Sequence, residues 1–480
     1  MKSKSNLKQN LIYNTIYQIS VLILPFVTAP YISRVIGAKG LGTYSYYNSI
    51  ALYFVYFAML GIANYANRLI SKNSNDCEIL NEKFSSVYYL QLITSTIVVL
   101  AYIGFITFFV KENQIVPTIM LFHVTSAIFD VSWLFFGLQE FKITSIRQLI
   151  IRIISFISIF VFVKTKSDLW IYTLIMSLSY FASAVSLWIM MWKKVSLKKC
   201  NYKQITTHIK PCLILFIPII ASSIYRLMDK IMIGQFCDMT NVGYYENAEK
   251  LIFISSGILG AICTVIMPRI SNLIANKKEE EAKNIFNVSI VFCMFLAFAI
   301  AFGIAGVSKE FIPLFFGNDF INSINISILL CVSLPFMIWS MVIRNLYLIP
   351  YELDKIYVKS VIAGAIVNFV INFALIPILG VYGAAIGTIM ADICLALYQT
   401  YPIRDKIDIK LFIKYVIIYI VVGGVMIVGI EIVKYLISSK ILSLILEIII
   451  GGLIYIIINV LLFKKYSKYS IEEIREILKN

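Results

Sequence analysis

Asn284 to Val307 reads NIFNVSIVFCMFLAFAIAFGIAGV, a run without one charged side chain, bounded by Lys283 before it and Lys309-Glu310 after it. Wound as an α-helix at about 1.5 Å per residue, it is long enough to cross the ~30 Å hydrocarbon core of a bilayer. Runs of this kind recur outward in both directions, and their length and continuity predict helical spans. They fall near residues 11–35, 43–66, 86–110, 115–138, 145–163, 169–192, 211–235, 246–270, 284–307, 323–348, 357–378, 381–402, 411–434 and 441–463. Span 323–348 is interrupted by Pro335, and span 145–163 carries Arg147 and Arg152. Hydrophobic residues make up 60% of the 480-residue chain and charged residues 14%, against about half and about a quarter in a soluble domain. No single core hides that much apolar surface, so lipid solvates the remainder. The fold class is an all-α integral membrane protein of about fourteen transmembrane helices.

The formal net charge of +16 is spread over short connections rather than one basic face, which excludes a nucleic-acid partner. Its distribution sets topology instead. Connections on the side of the N-terminus hold most of the Lys and Arg, including Lys193, Lys194, Lys198, Lys199, Lys203 and Lys210. The opposite side has little beyond Lys39, Lys111, Lys164, Lys166, Lys309, Lys434 and Lys440. The positive-inside rule then places both termini in the cytoplasm. The first apolar run is too long for the core of a signal peptide and is expected to remain as an uncleaved span. The segment Ser470-Ile471-Glu472-Glu473-Ile474 reads as the capped start of an amphipathic helix on the cytoplasmic side.

Eight scattered cysteines, no C-x-x-C and two distant histidines, His123 and His208, support neither a metal site nor a disulfide framework. No Walker A, G-x-S-x-G or H-E-x-x-H motif occurs, and no connection is long enough for a nucleotide-binding domain. The expectation is a transporter without cofactor, not an enzyme.

A weak internal repeat divides the chain. Arg34-Val35-Ile36-Gly37 leads through Gly42-Thr43-Tyr44, and Asp229-Lys230-Ile231-Met232-Ile233-Gly234 leads through Gly243-Tyr244-Tyr245. Six spans separate the copies, an even number, so two six-helix lobes of the same orientation are expected. Their boundaries are 1–200 and 201–408, followed by spans 13 and 14 over 409–465 and a cytoplasmic tail over 466–480. Spans 13 and 14 hold nothing diagnostic.

A charge at bilayer depth is costly unless it faces protein or water, so such charges mark candidate sites. Arg226, Asp229 and Lys230 stand at i, i+3 and i+4, on one helix face. The same spacing is equally that of an internal ion pair with Lys230 snorkelling outward. Asp130 lies mid-span with Trp133 and Gly137 at i+3 and i+7; Arg34 ends the first span; Arg344 and Asp392 lie inside spans 10 and 12. Asn368 and Asn372 are spaced i, i+4, and Gly383 and Gly387 form G-x-x-x-G, a pattern favouring close helix packing. Arg34, Arg226, Lys230 and Arg344 are the candidate substrate-binding residues. Asp130, Asp229, Asp392, Asn368 and Asn372 are the candidate coupling or cavity residues.

Five blocks of residues, in order, carry a resemblance. They are Pro25…Pro30-Tyr31…Arg34…Gly37…Gly42-Thr43-Tyr44; Gly61-Ile62…Tyr65…Arg68; and Asp130…Trp133-Leu134-Phe135-Phe136-Gly137 with Glu140-Phe141. Asp229…Gly234…Gly243-Tyr244-Tyr245…Ala248…Lys250 and Asn368…Asn372…Pro377…Gly380…Gly383-Ala384…Thr388 complete the set. Through most of its first 400 residues the chain resembles bacterial polysaccharide flippases of the Wzx type. Their superfamily also holds multidrug (MATE) exporters and lipid II flippases. One departure is Gln139, where the family pattern has an acid; Glu140 or Asp130 would then stand in for it. The resemblance implies a MATE-like fold in a bacterial plasma membrane. It implies a cargo of undecaprenyl-pyrophosphate-linked oligosaccharide carried from the inner to the outer leaflet by alternating access. Polysaccharide polymerase and glycosyltransferases would be neighbours in the pathway. Two other readings stay open at this point: a MATE-like drug/cation antiporter, and a flippase for another polyprenyl-linked cell-wall precursor.

Overall fold

The computed structural model describes residues 4–111 and 114–466, with side chains described over 23–111 and 114–462. All regular structure among these residues is helical. The chain divides into two compact units, Met1–Gly243 and Tyr244–Asn480. The first begins with α1 (Lys4–Met59), α2 (Ile62–Asn73), α3 (Cys77–Phe109), α4 (Ile115–Phe129) and α5 (Ser132–Gly137). It continues with α6 (Phe141–Phe162), α7 (Leu169–Met191), α8 (Tyr202–Thr206) and α9 (Ile209–Phe236). Helix α10 (Met239–Ala275) starts at the end of this unit. The second unit adds α11 (Glu279–Phe315), α12 (Ser323–Leu330), α13 (Ser333–Ile343) and α14 (Asp354–Leu379). It ends with α15 (Val381–Thr400), α16 (Ile409–Leu436) and α17 (Lys440–Tyr466). The amphipathic segment expected from Ser470 onward lies outside the described residues.

Thirteen helical stretches among the described residues are long and apolar enough to cross a bilayer. One of them, Ile23–Asn73, has 51 residues, roughly 75 Å at the helical rise, and is not a single rod. At Gly37 the backbone takes φ 73° and ψ 176°, a conformation glycine reaches without the clash a Cβ would bring. Spans 1 and 2 meet there, and the total agrees with about fourteen. Span 2 ends earlier than expected, at Met59 rather than 66. Leu60 and Gly61 both have positive φ and turn the chain into amphipathic α2. A Cβ on Gly61 would lie 2.9 Å from the Phe216 nitrogen of α9, so α2 and α9 approach closely at this turn.

Two further spans are broken where apolar composition predicts continuity. The stretch 115–138 divides at Asp130-Val131 into α4 and α5, and 323–348 divides at Cys331-Val332 into α12 and α13. Pro335 is not the break itself. It falls in the first turn of α13, where its missing N–H has no intrahelical partner to lose. The five residues after α13, Arg344–Leu348, form a π-helical turn.

The core of the first unit gathers Ile62, Ile70, Phe84, Trp133, Leu134, Phe135 and Cys212. Arg147, foreseen as a charge inside a span, is held in the α6–α7 seam, donating to the Ser183 carbonyl and to Ser186 Oγ at 2.7 Å. In the second unit Tyr455 and Tyr419 donate to the Phe295 and Val291 carbonyls of α11 at 3.0 and 3.3 Å. These bonds tie α16 and α17 to α11.

Candidate functional site

In the first unit the candidate charges lie on α1, α4 and α9. Helix α9 packs on the second half of α1, which sets Tyr53 in electrostatic reach of Asp229 and Tyr56 in reach of Arg226. The three charged residues of α9 share a face but not an environment. Asp229 is 1% exposed, Lys230 is half-buried and Arg226 is exposed. The three side chains fan over an arc of the helix surface, and Asp229 is the one turned into the packed interior. The result is an exposed arginine three residues from a buried aspartate, with phenol groups in electrostatic reach. Such a guanidinium presents a planar fork of N–H donors that matches phosphate oxygens. Arg34 is also exposed, three residues before the break at Gly37.

Asp130 is not on a continuous helix face with Trp133 and Gly137, as its position in the apolar run suggested. It ends α4 with extended backbone, φ −76° and ψ 93°, and its Oδ1 accepts from the Ser132 nitrogen at 3.0 Å. The carboxylate therefore closes an Asx-type turn that leads into α5. Gln91 of α3, fully buried, holds the break from the other side. Its amide nitrogen donates to the carbonyls of Ala127 and Asp130 at 2.7 and 2.9 Å, and its amide oxygen accepts from Trp133 Nε1 at 2.8 Å. Carbonyls freed by a break inside a membrane need such a donor. Gln91 is absent from the sequence-derived candidates because an isolated Gln in an apolar run gives no sign of where its amide points.

In the second unit Arg344 is half-buried where the π-helical turn begins. Its Nε donates to Asn345 Oδ1 at 3.0 Å, and its guanidinium carbon lies 5.4 Å from the Tyr357 ring centroid. Single π-turns inside α-helices are frequent at functional positions. Asn368 and Asn372 are fully buried and bonded to each other, Nδ2 to Oδ1, at 3.2 Å. A Cβ on Gly387 would stand 3.0 Å from Asn372 Cγ, so the glycine of α15 seats the amide pair of α14. This is the packing role that the G-x-x-x-G spacing favours. Asp392 is buried on α15 at 1% exposure. Tyr245 and Thr388, from two separate motif blocks, meet hydroxyl to hydroxyl at 2.9 Å. Among the described residues no group of three or more His, Cys, Asp or Glu is placed to hold a metal ion.

Comparison with known proteins adds three findings. Residues 7–274, more than half of the chain, match the family model described as polysaccharide biosynthesis protein. A protein of Escherichia coli (strain K12) named as an O-antigen transporter is 24% identical over 406 residues, covering 82% of this chain and 95% of its own. A lipid II flippase MurJ, solved in an inward closed conformation, superposes with TM-score 0.76 at 16% identity, covering 95% of this chain and 99% of its own. At that identity the last finding speaks to fold alone, and it places the chain in the MurJ-like membrane fold. The family match across more than half the sequence shows that this chain belongs to the polysaccharide biosynthesis protein family, as a multi-pass membrane transporter rather than an enzyme.

Proposed function

We propose that the chain moves an undecaprenyl-pyrophosphate-linked oligosaccharide from the inner to the outer leaflet of a bacterial plasma membrane by alternating access. The observation that carries this reading is exposed Arg226 three residues from buried Asp229 on one face of α9, within a family of polysaccharide biosynthesis proteins. A sugar-pyrophosphate head group needs cationic, planar partners and a polar route past hydrocarbon. Arg226, with Arg34 and Lys230 of the same unit, supplies such partners, and Arg344 is the corresponding candidate in the second unit. Asp229 orients the α9 cations and takes part in coupling. Asp130 keeps α4 and α5 at a fixed angle, and Asp392, Asn368 and Asn372 set the α14–α15 packing against which movement occurs. Both termini and the connection after α7 face the cytoplasm in this account.

The test is direct transport. Proteoliposomes holding the purified chain and a fluorescent polyprenyl-pyrophosphate oligosaccharide are treated with an impermeant quencher. Protein-dependent passage of the lipid between leaflets is expected. Passage no faster than in protein-free vesicles, with protein confirmed as folded, would overturn the reading. Uptake of a cationic drug without lipid passage would favour an antiporter instead.

A further inference from the structure

Helices α11, α16 and α17 lie beyond the residues matched by the family model, and together they assemble a group of charges unrelated to the candidate site. Lys434 of α16 contacts three acceptors: Glu310 Oε2 of α11 at 3.0 Å, Glu431 Oε1 at 3.3 Å and the Gly306 carbonyl at 2.8 Å. The Gly306 and Glu431 contacts are hydrogen bonds, and the Glu310 contact is an ion pair whose Oε2 has no hydrogen-bond partner among the described residues. Glu447 of α17 faces the same group, within electrostatic reach of Glu310, Lys434 and Glu431. It is 0% exposed. Ser443 donates to its Oε1 at 2.7 Å, while Oε2 has no hydrogen-bond partner among the described residues.

The elements packed against α17 are α11 and α16. The charged groups they turn toward Glu447 are Glu310 from the first and Glu431 and Lys434 from the second; Lys440 stands exposed at the start of α17 itself. Three carboxylates therefore share the charge of one ammonium, and two of them, Glu310 and Glu447, each keep a buried Oε2 without a hydrogen-bond partner among the described residues. A fully buried carboxylate oxygen with no donor is strongly disfavoured, and one added proton removes both the charge and the excess. A metal ion is a poor occupant, since no group of His, Cys, Asp or Glu among the described residues has the arrangement to hold one.

We propose that Glu447 is a proton-binding site. Protonation forms Oε2–H as an O–H bond of hydronium breaks and leaves water; release breaks Oε2–H and returns the proton to water. The Lys434 ion pairs with Glu310 and Glu431 adjust as the net charge of the group changes, which links the proton to the packing of α11, α16 and α17. The inference does not depend on what cargo the protein carries.

Infrared difference spectra of the full-length chain in detergent, stepped from acid to alkaline pH, test it. The wild type is expected to show a titrating protonated-carboxyl C=O band that Glu447→Gln abolishes and Glu431→Gln retains. Ser443→Ala should keep the band at a displaced frequency, and this variant carries the test if Glu447→Gln fails to fold. A band that stays the same in Glu447→Gln, or is unmoved in Ser443→Ala, overturns the proposal. Loss of the band when sodium replaces choline at constant pH also overturns it, by making the site one for an alkali cation.

Discussion

Gly42 and Gly243 lie in reciprocal contact: a Cβ on Gly42 would stand 2.7 Å from the Gly243 nitrogen and on the Met239 carbonyl, and a Cβ on Gly243 would fall on the Ala38 carbonyl. Met239 precedes Gly243 by four residues, as Ala38 precedes Gly42. Each glycine therefore admits the helical turn that leads to the other. These are the two glycines that the weak internal repeat sets in register. Neither has room for a methyl group, because the obstacle is backbone and cannot rotate away.

Gly42→Ala and Gly243→Ala should each destabilise the protein by about 3 kcal/mol or more, the upper range for overpacking. Gly104→Ala is the control. Nothing lies within 4 Å of its Cβ position, and alanine favours an α-helix over glycine by about 1 kcal/mol. Thermal unfolding in detergent should rank Gly104→Ala at or above wild type and the other two below it. An unchanged midpoint for Gly42→Ala would show that the contact does not persist in the dominant state.

Gln91→Leu removes three hydrogen bonds at once and leaves Trp133 Nε1 and two carbonyls without partners. Each orphaned buried group costs about 1–3 kcal/mol, so the α4–α5 break should lose its support. Limited proteolysis and unfolding should both show a large loss of stability. Retention of wild-type stability would mean that Asp130 and its turn hold the break unaided.

His208 connects three helices, its Nδ1 bonded to Tyr65 at 2.7 Å and its Nε2 to Ser86 at 2.8 Å. The Lys194–Glu140 ion pair at 2.5 Å lies nearby in sequence but is partly exposed, and such pairs contribute at most about 1 kcal/mol. His208→Ala should lower stability by about 2 kcal/mol, whereas Lys194→Ala should fall within error of wild type. The reverse ranking in unfolding experiments would contradict this assignment.

Two native cysteines outside the spans report topology and electrostatics together. Burial, then the charge of Glu82, raises the Cys200 thiol above its ordinary range; burial, then Asp238, does the same for Cys237. A raised thiol holds less thiolate at neutral pH and reacts more slowly. In variants keeping one cysteine each, labelling should accelerate with pH later than for a free thiol. Glu82→Gln should speed labelling of Cys200 at neutral pH. In intact cells an impermeant maleimide should reach Cys237 and not Cys200. Labelling of Cys200 from outside would reverse the proposed orientation.

The spans were legible because an apolar run of bilayer length has too much surface for a water-soluble fold to cover, and such runs recur along the whole chain. The turn at Gly37 was legible because it stands between two such runs, whereas the turn at Leu60-Gly61 falls inside the run 43–66 and was not. The breaks at Asp130-Val131 and Cys331-Val332 were not legible. Only Pro335, just past the second, hints at either, and the first depends on Gln91, about forty residues away in sequence. The charged face of α9 was legible by spacing, but its division into exposed Arg226 and buried Asp229 depends on where α1 packs. Glu447 was hidden for a related reason. One acid in a long apolar run resembles any other until α11 and α16 bring Glu310, Glu431 and Lys434 beside it.

The central claim is that Arg226 meets an anionic head group, and surface polysaccharide per molecule of protein in a complemented flippase-deficient strain tests it most directly. Arg226→Ala should abolish export at normal protein level, and Arg226→Lys should restore it only in part, because an ammonium lacks the planar fork. If Arg226 merely balances Asp229, removing both charges should restore what removing one destroys. The account predicts no export from Arg226→Ala combined with Asp229→Ala. Wild-type export from that double variant would contradict it.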